Sequence, residues 1–171
     1  MTVIVGVSIA IPEPFGEFLR EKRRSFGDLE ADRIPTHITL APPLVIEPDQ
    51  RDSLAEDLAE LAQVCAPFNI RLLGTGTFRP ISPVVFVAIS EGIAQIEMLA
   101  EGVRNAIEAP QAEFPFHPHV TVAHNVDDQA LDLALRDLRD FECEFAVDAV
   151  HLYVDDPETG WQPTHTFAFG G

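Results

Sequence analysis

His37-Ile38-Thr39-Leu40 and His119-Val120-Thr121-Val122 share one form, a histidine and a threonine two residues apart, interleaved with aliphatic residues. Along an extended strand, side chains alternate between faces. In each tetrapeptide His and Thr therefore project together, while the aliphatic pair turns to the other side. Alternation alone marks any half-buried strand. Its recurrence with the same two polar residues, once in each half of the chain, suggests a duplicated lobe presenting paired imidazoles to a common cleft.

Around these motifs the sequence alternates strands with helices. Residues 2–11 read as a strand closed by Pro12. A helix follows from about Glu13, with Pro14 in its first turn and Gly27 just past its end. Phe15, Phe18, Leu19 and Phe26 form its expected inner stripe. The first motif strand spans about Ile34 to Leu40 and runs into Pro42-Pro43. Leu54, Leu58, Leu61 and Cys65 mark a second helix, ended by Pro67. Phe68–Phe78 and Val84–Ile89 read as strands around an Arg79-Pro80-Ile81-Ser82-Pro83 turn, and Ile93, Ile96, Ala100, Val103 and Ile107 mark a third helix. The second motif strand covers roughly His117 to His124, after which Asp127 or Asp128 caps a short helix with Leu131, Leu135 and Leu138 inward.

The remainder reads as a hairpin, Phe141–Val154 against Trp161–Phe169. In its first arm Glu142, Glu144 and Asp148 share a parity with Val150, Leu152 and Val154, which predicts a bulge or a change of burial near Ala149. Several strand pairs are joined by short turns, so a purely parallel sheet is excluded. The pattern predicts an α+β fold with mostly antiparallel sheets, in one domain over residues 1–171.

The 171 residues carry a formal charge of −17. Long nucleic acids are bound by neutralising backbone phosphates, so this balance argues against extended RNA or DNA as a partner. A small phosphate ester or an RNA end stays compatible. Arg20, Lys22, Arg23, Arg24 and Arg33 leave residues 1–40 near neutral, either as a solvated helix face or as local steering of an anion toward His37. Cys65 and Cys143 lie in apolar patterns without Cys-x-x-Cys spacing, as expected of buried thiols in a reducing cytoplasm. The apolar start lacks a positive leading region, and no segment approaches membrane-spanning length. The expectation is a cytoplasmic protein with no membrane partner, and nothing demands more than a monomer.

At neutral pH imidazole is the side chain best placed to give or take a proton. Two imidazoles across a cleft suit concerted acid–base work at phosphorus, one deprotonating a nucleophile and one protonating a leaving oxygen. Threonine hydroxyls on the same face can bond the nonbridging oxygens. Neither motif contains a carboxylate to complete a Ser/His/Asp triad. His117, His119 and His124 raise a metal reading, but His124 has the opposite parity from His119, and no cofactor or metal is expected. His117, Arg79 and Phe78 are possible pocket residues beside the motif strands. His165-Thr166-Phe167 lacks the second-position Thr and is a decoy.

These residues also carry a resemblance. Both tetrapeptides match the His-x-Thr-hydrophobic signature of the two-histidine (2H) phosphoesterase superfamily, which includes bacterial 2′-5′ RNA ligase-like proteins and cyclic nucleotide phosphodiesterases. The stretches Arg33–Pro43, Gly76-Thr77-Phe78 and Phe116–Ala123 look like the surroundings of that family's motifs. The resemblance implies two pseudo-twofold lobes of mostly antiparallel sheet with outer helices and a central groove. It implies His37 and His119 as the catalytic acid–base pair, with Thr39 and Thr121 binding the substrate phosphate. Implied substrates are 2′,3′-cyclic phosphates, 2′-5′ linkages or RNA ends. Which imidazole is acid and which is base stays open. So does a non-catalytic module that holds a nucleotide or phosphate in the same groove.

Overall fold

The computed structural model describes residues 1–171. Its strands are β1 (Val3–Ala10), β2 (His37–Ile46), β3 (Phe68–Thr77), β4 (Val84–Glu91), β5 (Val120–His124), β6 (Glu142–Val147), β7 (Ala149–Asp156) and β8 (Gly160–Ala168). Its helices are α1 (Phe15–Ser25), α2 (Arg51–Gln63), α3 (Ile93–Ala106) and α4 (Asp128–Asp137). The strands form two four-stranded sheets, ordered β2-β1-β7-β8 and β5-β4-β3-β6, and every pairing is antiparallel. The fold is α+β with two lobes. The two motif strands, β2 and β5, are edge strands of different sheets and come together at the centre of the molecule.

Burial fixes which way the motifs face. His37-Ile38-Thr39-Leu40 and His119-Val120-Thr121-Val122 both read half-buried, buried, half-buried, buried. Ile38, Leu40, Val120 and Val122 are fully enclosed in one continuous apolar core that includes both sheets. At about 1.5–3 kcal/mol for each buried side chain, an upper bound, these four contribute roughly 6–12 kcal/mol. A one-residue slip in register would turn them outward and forfeit that burial. The polar pairs are therefore held on the opposite, groove-facing side.

Four sequence expectations need correction. The arm Phe141–Val154 is two strands in two sheets. β6 pairs with β3 while β7 pairs with β1 and β8, and the chain crosses between sheets at Asp148. The parity conflict near Ala149 is that crossing, not a bulge within one strand. Of the stripe expected on α1, Leu19 and Phe26 are buried in the core and Phe15 packs against it, but Phe18 is 45 % exposed and stacks on Phe141 at 5.5 Å, and Gly16 and Arg23 are buried instead. Regular pairing of the motif strands begins at His37 and Val120, later than Ile34 and His117. Leu61 is half-buried and Cys65 lies beyond the end of α2. Asp127 is the residue that caps α4, its side chain accepting from Ala130 N at 2.8 Å.

Candidate active site

The two histidines are anchored alike. The Nδ1 atom of His37 lies 2.7 Å from the carbonyl of Pro35, and that of His119 lies 2.7 Å from the carbonyl of His117. A carbonyl oxygen only accepts, so each Nδ1 carries the proton and each Nε2 is the nitrogen left for chemistry. The anchor is local in both cases, a carbonyl two residues back in Pro35-Thr36-His37 and in His117-Pro118-His119.

Burial pushes the His37 pKa below its ordinary value. The bond to Pro35 opposes this, and the charges of Arg23 and His119 add to the lowering. The His119 pKa is also lowered, first by burial and then by the neighbouring His117, against the bond to the His117 carbonyl. Both rings therefore favour the neutral, basic form at pH 7. A bound phosphate anion reverses part of that balance by stabilising the imidazolium.

Thr39 is common to two depressions. One, of about 130 Å³, also holds His37. The other, of about 540 Å³, holds His119, His117, Phe78 and Arg104. Thr121 stands half-buried on the His119 face of β5. Phe78 packs edge-on against His119 at 4.9 Å and against His117 at 5.2 Å, and Phe86 backs both rings at 5.5 and 5.3 Å. Gly76 permits this, since a Cβ there would lie 2.6 Å from the tip of the Phe86 ring. Phe78 is thus part of the ring's support as well as the groove wall.

Arg79 is placed elsewhere. It bonds Asp132 at 2.8 Å and Asp128 at 3.4 Å, and its depression contains neither motif histidine. The cluster in residues 20–33 is likewise engaged. Arg20 bonds the carbonyls of Ala31 and Asp32, Lys22 pairs with Asp137, and Arg24 pairs with Asp32. Arg33 reaches carbonyls of the β7–β8 turn. Arg23, far from a solvated face, is 5 % exposed and bonds Asp28 through Nε at 2.7 Å. The same Asp28 oxygen accepts from His124 N at 2.9 Å, tying the α1 loop to the end of the second motif strand. His117 and His119 have ring centroids 6.1 Å apart, and no three His, Cys, Asp or Glu side chains converge as a metal-ligand set.

The sequence reading passed over Arg104, whose guanidinium sits 5.1 Å over the Phe116 ring at the His119 end of the groove. Its place one residue after the buried Val103 marked it only as a flank of the α3 stripe. It also passed over Ser8, Tyr153 and Trp161, which line the depression beside His37.

Comparison with known proteins agrees with this architecture. A family model described as the 2′-5′ RNA ligase superfamily matches residues 11–159. A protein of Geobacillus kaustophilus that bears a provisional phosphoesterase name is 27% identical over 168 residues, 97% of this chain and 96% of that protein. A similarly named Bacillus cereus protein is 27% identical over 139 residues, 80% of each chain. Escherichia coli LigT, solved with 3′-AMP, superposes with a TM-score of 0.74 over 100% of both chains at 19% identity. LigT with NADP+ gives 0.71 at 20% identity, also over 100% of both chains. TT0787 of Thermus thermophilus gives 0.66 at 22% over 98% of each.

Proposed function

The chain belongs to the 2′-5′ RNA ligase superfamily, and from that premise we propose that it is a phosphoesterase that needs no metal and acts on 2′,3′-cyclic phosphates or 2′-5′ phosphodiester bonds of nucleotides or RNA ends. The observation that carries this reading is the matched anchoring of His37 and His119. Each is fixed by Nδ1 to the carbonyl two residues back, on edge strands that meet between the sheets. Two imidazoles so held offer two Nε2 atoms to one phosphorus.

In hydrolysis of a cyclic phosphate, the neutral Nε2 of one histidine takes a proton from water as the water oxygen bonds phosphorus. The Nε2–H of the other gives its proton to the ribose oxygen as the P–O bond to that oxygen breaks. The product is a ribose phosphomonoester, and the two rings have exchanged protonation states. With an RNA hydroxyl in place of water each ring keeps its role, and in the reverse direction the roles exchange. The Thr39 and Thr121 hydroxyls donate to the nonbridging oxygens as charge builds there. LigT has been solved with 3′-AMP, NADP+ and ATP, which supports a nucleotide-sized occupant for the equivalent groove here. The substrate is therefore a small nucleotide or an RNA end. No helix is long and apolar enough to cross a membrane.

The test sets 2′,3′-cyclic nucleotides and 2′-5′ dinucleotides against linear controls and identifies which oxygen keeps the phosphate. His37→Ala and His119→Ala each abolish turnover in a folded protein, and EDTA leaves the wild type unchanged. Wild-type rates in either variant refute the assignment. Nucleotide binding by calorimetry with no turnover across the panel favours a binding module instead.

A further inference from the structure

The depression beside His37 is built differently from the open cleft beside His119. Its walls are Gly6 and Ser8 of β1, Thr39 and His37 of β2, Tyr153 of β7 and Trp161 of β8. Gly6 and Ser8 share a face, opposite Tyr153 and Thr39 across the β1–β7 and β1–β2 pairings. Trp161 and Tyr153 are the chain's only tryptophan and only tyrosine, and both line this one space. The indole packs closely on Gly6, where an added Cβ would stand 3.2 Å from the Trp161 ring, so the missing side chain leaves the ring its place.

Two polar groups there lack partners. Ser8 is 6 % exposed and Tyr153 is buried, yet no hydrogen bond within the protein engages either hydroxyl. Burial alone raises the Tyr153 pKa, with no bonding partner contributing. The two residues are largely enclosed, but their hydroxyl oxygens are not sealed off in the core, so each is free to bond a group that enters the depression. An aromatic slot with a few unpaired polar groups at fixed positions is the usual make-up of a small-molecule site. Its volume of about 130 Å³ compares with the roughly 150 Å³ cavity that accepts benzene. It has room for one planar ring and not for the sugar attached to it.

We propose that the Gly6–Ser8–Tyr153–Trp161 slot is a nucleobase subsite. It takes one planar heterocycle, stacked on Trp161 and hydrogen-bonded at its edge by the Ser8 and Tyr153 hydroxyls, and leaves the ribose phosphate at Thr39 and His37. The slot rests on the phosphoesterase reading and adds the base as the feature that selects the substrate. Stacking on an aromatic tolerates any base, because each has a π-face, so discrimination falls to the two hydroxyls.

Because Trp161 is the only tryptophan, its fluorescence reports on the slot directly and without turnover. Cytidine 2′-monophosphate and adenosine 2′-monophosphate are titrated into the wild type, with ribose 5-phosphate and inorganic phosphate as controls. The nucleotides produce a saturable change in Trp161 emission and the controls produce none. Tyr153→Phe and Ser8→Ala, which remove only a hydroxyl, weaken nucleotide binding about 2–10-fold, the scale for one neutral hydrogen bond. Trp161→Leu raises KM about 5–150-fold, the range for losing one base–aromatic stack, with a smaller effect on kcat. Nucleotide binding by calorimetry without a change in Trp161 emission overturns the subsite, as do equal changes with the controls. Turnover with KM untouched in all three variants also sinks the slot while the phosphoesterase reading stands. A nucleotide-dependent emission change with no turnover of any cyclic phosphate or 2′-5′ dinucleotide does the reverse.

Discussion

Asp28→Asn perturbs the buried Arg23–Asp28 ion pair, which ties the loop after α1 to the end of β5. The carboxylate is 4 % exposed and serves three partners. Oδ2 accepts from Arg23 Nε at 2.7 Å and from His124 N at 2.9 Å, and Oδ1 accepts from Glu30 N at 2.9 Å. An amide keeps one acceptor oxygen and turns a donor toward the others, leaving Arg23 charged, buried and unpaired. Breaking a buried pair this way costs about 3–5 kcal/mol. Against a total stability of about 5–15 kcal/mol, that is a large fraction. At about 2–4 °C per kcal/mol for a chain of this size, Tm falls by roughly 6–20 °C. Calorimetric unfolding measures it. The companion variant Arg23→Met/Asp28→Asn removes the stranded charge and leaves only unsatisfied amide donors, at about 1–3 kcal/mol, so it is more stable than Asp28→Asn alone. A loss under about 1 kcal/mol in the single variant, or a double variant no better than the single, refutes the reasoning. Removing the Arg23 charge also deletes one cause of the lowered His37 pKa. The limb of the pH–rate profile belonging to His37 therefore moves to higher pH in the double variant.

Other outcomes follow from the same geometry. Because both imidazole pKa values are lowered in the free protein, the kcat/KM optimum of a one-neutral, one-protonated pair lies below the ordinary imidazole value of about 6.5. The bound phosphate anion raises them, so the kcat profile sits at higher pH than the kcat/KM profile, and coincident profiles contradict this. Folding stability shifts the same way. His37, His119 and His151 all have lowered folded-state values, so the unfolded chain binds more protons just below pH 6.5 and stability falls as pH drops through that region, as denaturant midpoints from pH 7 to 5 would register. Thr39→Ala or Thr121→Ala lowers kcat by about 10–1000-fold in steady-state assays, the scale for one oxyanion-type hydrogen bond. Gly76→Ala drives a methyl into the Phe86 ring that backs His119, and overpacking of this kind costs about 1–3 kcal/mol. Its kcat falls as the ring is displaced, whereas a purely structural defect would lower Tm with kcat per folded molecule unchanged.

What the sequence disclosed about this fold is what local periodicity can carry. The alternation of His37–Leu40 and His119–Val122 fixed a face for each motif because burying Ile38, Leu40, Val120 and Val122 leaves one stable parity. Strand partnership is not local. Glu142–Val147 and Ala149–Asp156 have strand character of the same kind, and nothing within either segment says that one pairs with β3 and the other with β1. The mismatch of parity at Asp148 was the trace of the switch. It reads equally as a bulge until the second sheet supplies a partner.

Charge misled for a related reason. Arg23 sits in a basic run between half-buried Lys22 and exposed Arg24, so composition places it on the wet face of α1, while helical spacing from Gly16 and Leu19 places it inward. Spacing decides the outcome because Asp28 follows five residues later, where a turn at Gly27 brings its carboxylate back under the helix end. An inward arginine is stable only with such a partner. Burying that pair then makes the α1 loop the support for the end of β5. The second motif strand is thus held partly by residues nearly a hundred positions upstream. The paired histidines depend on that long-range tie as well as on their own tetrapeptides.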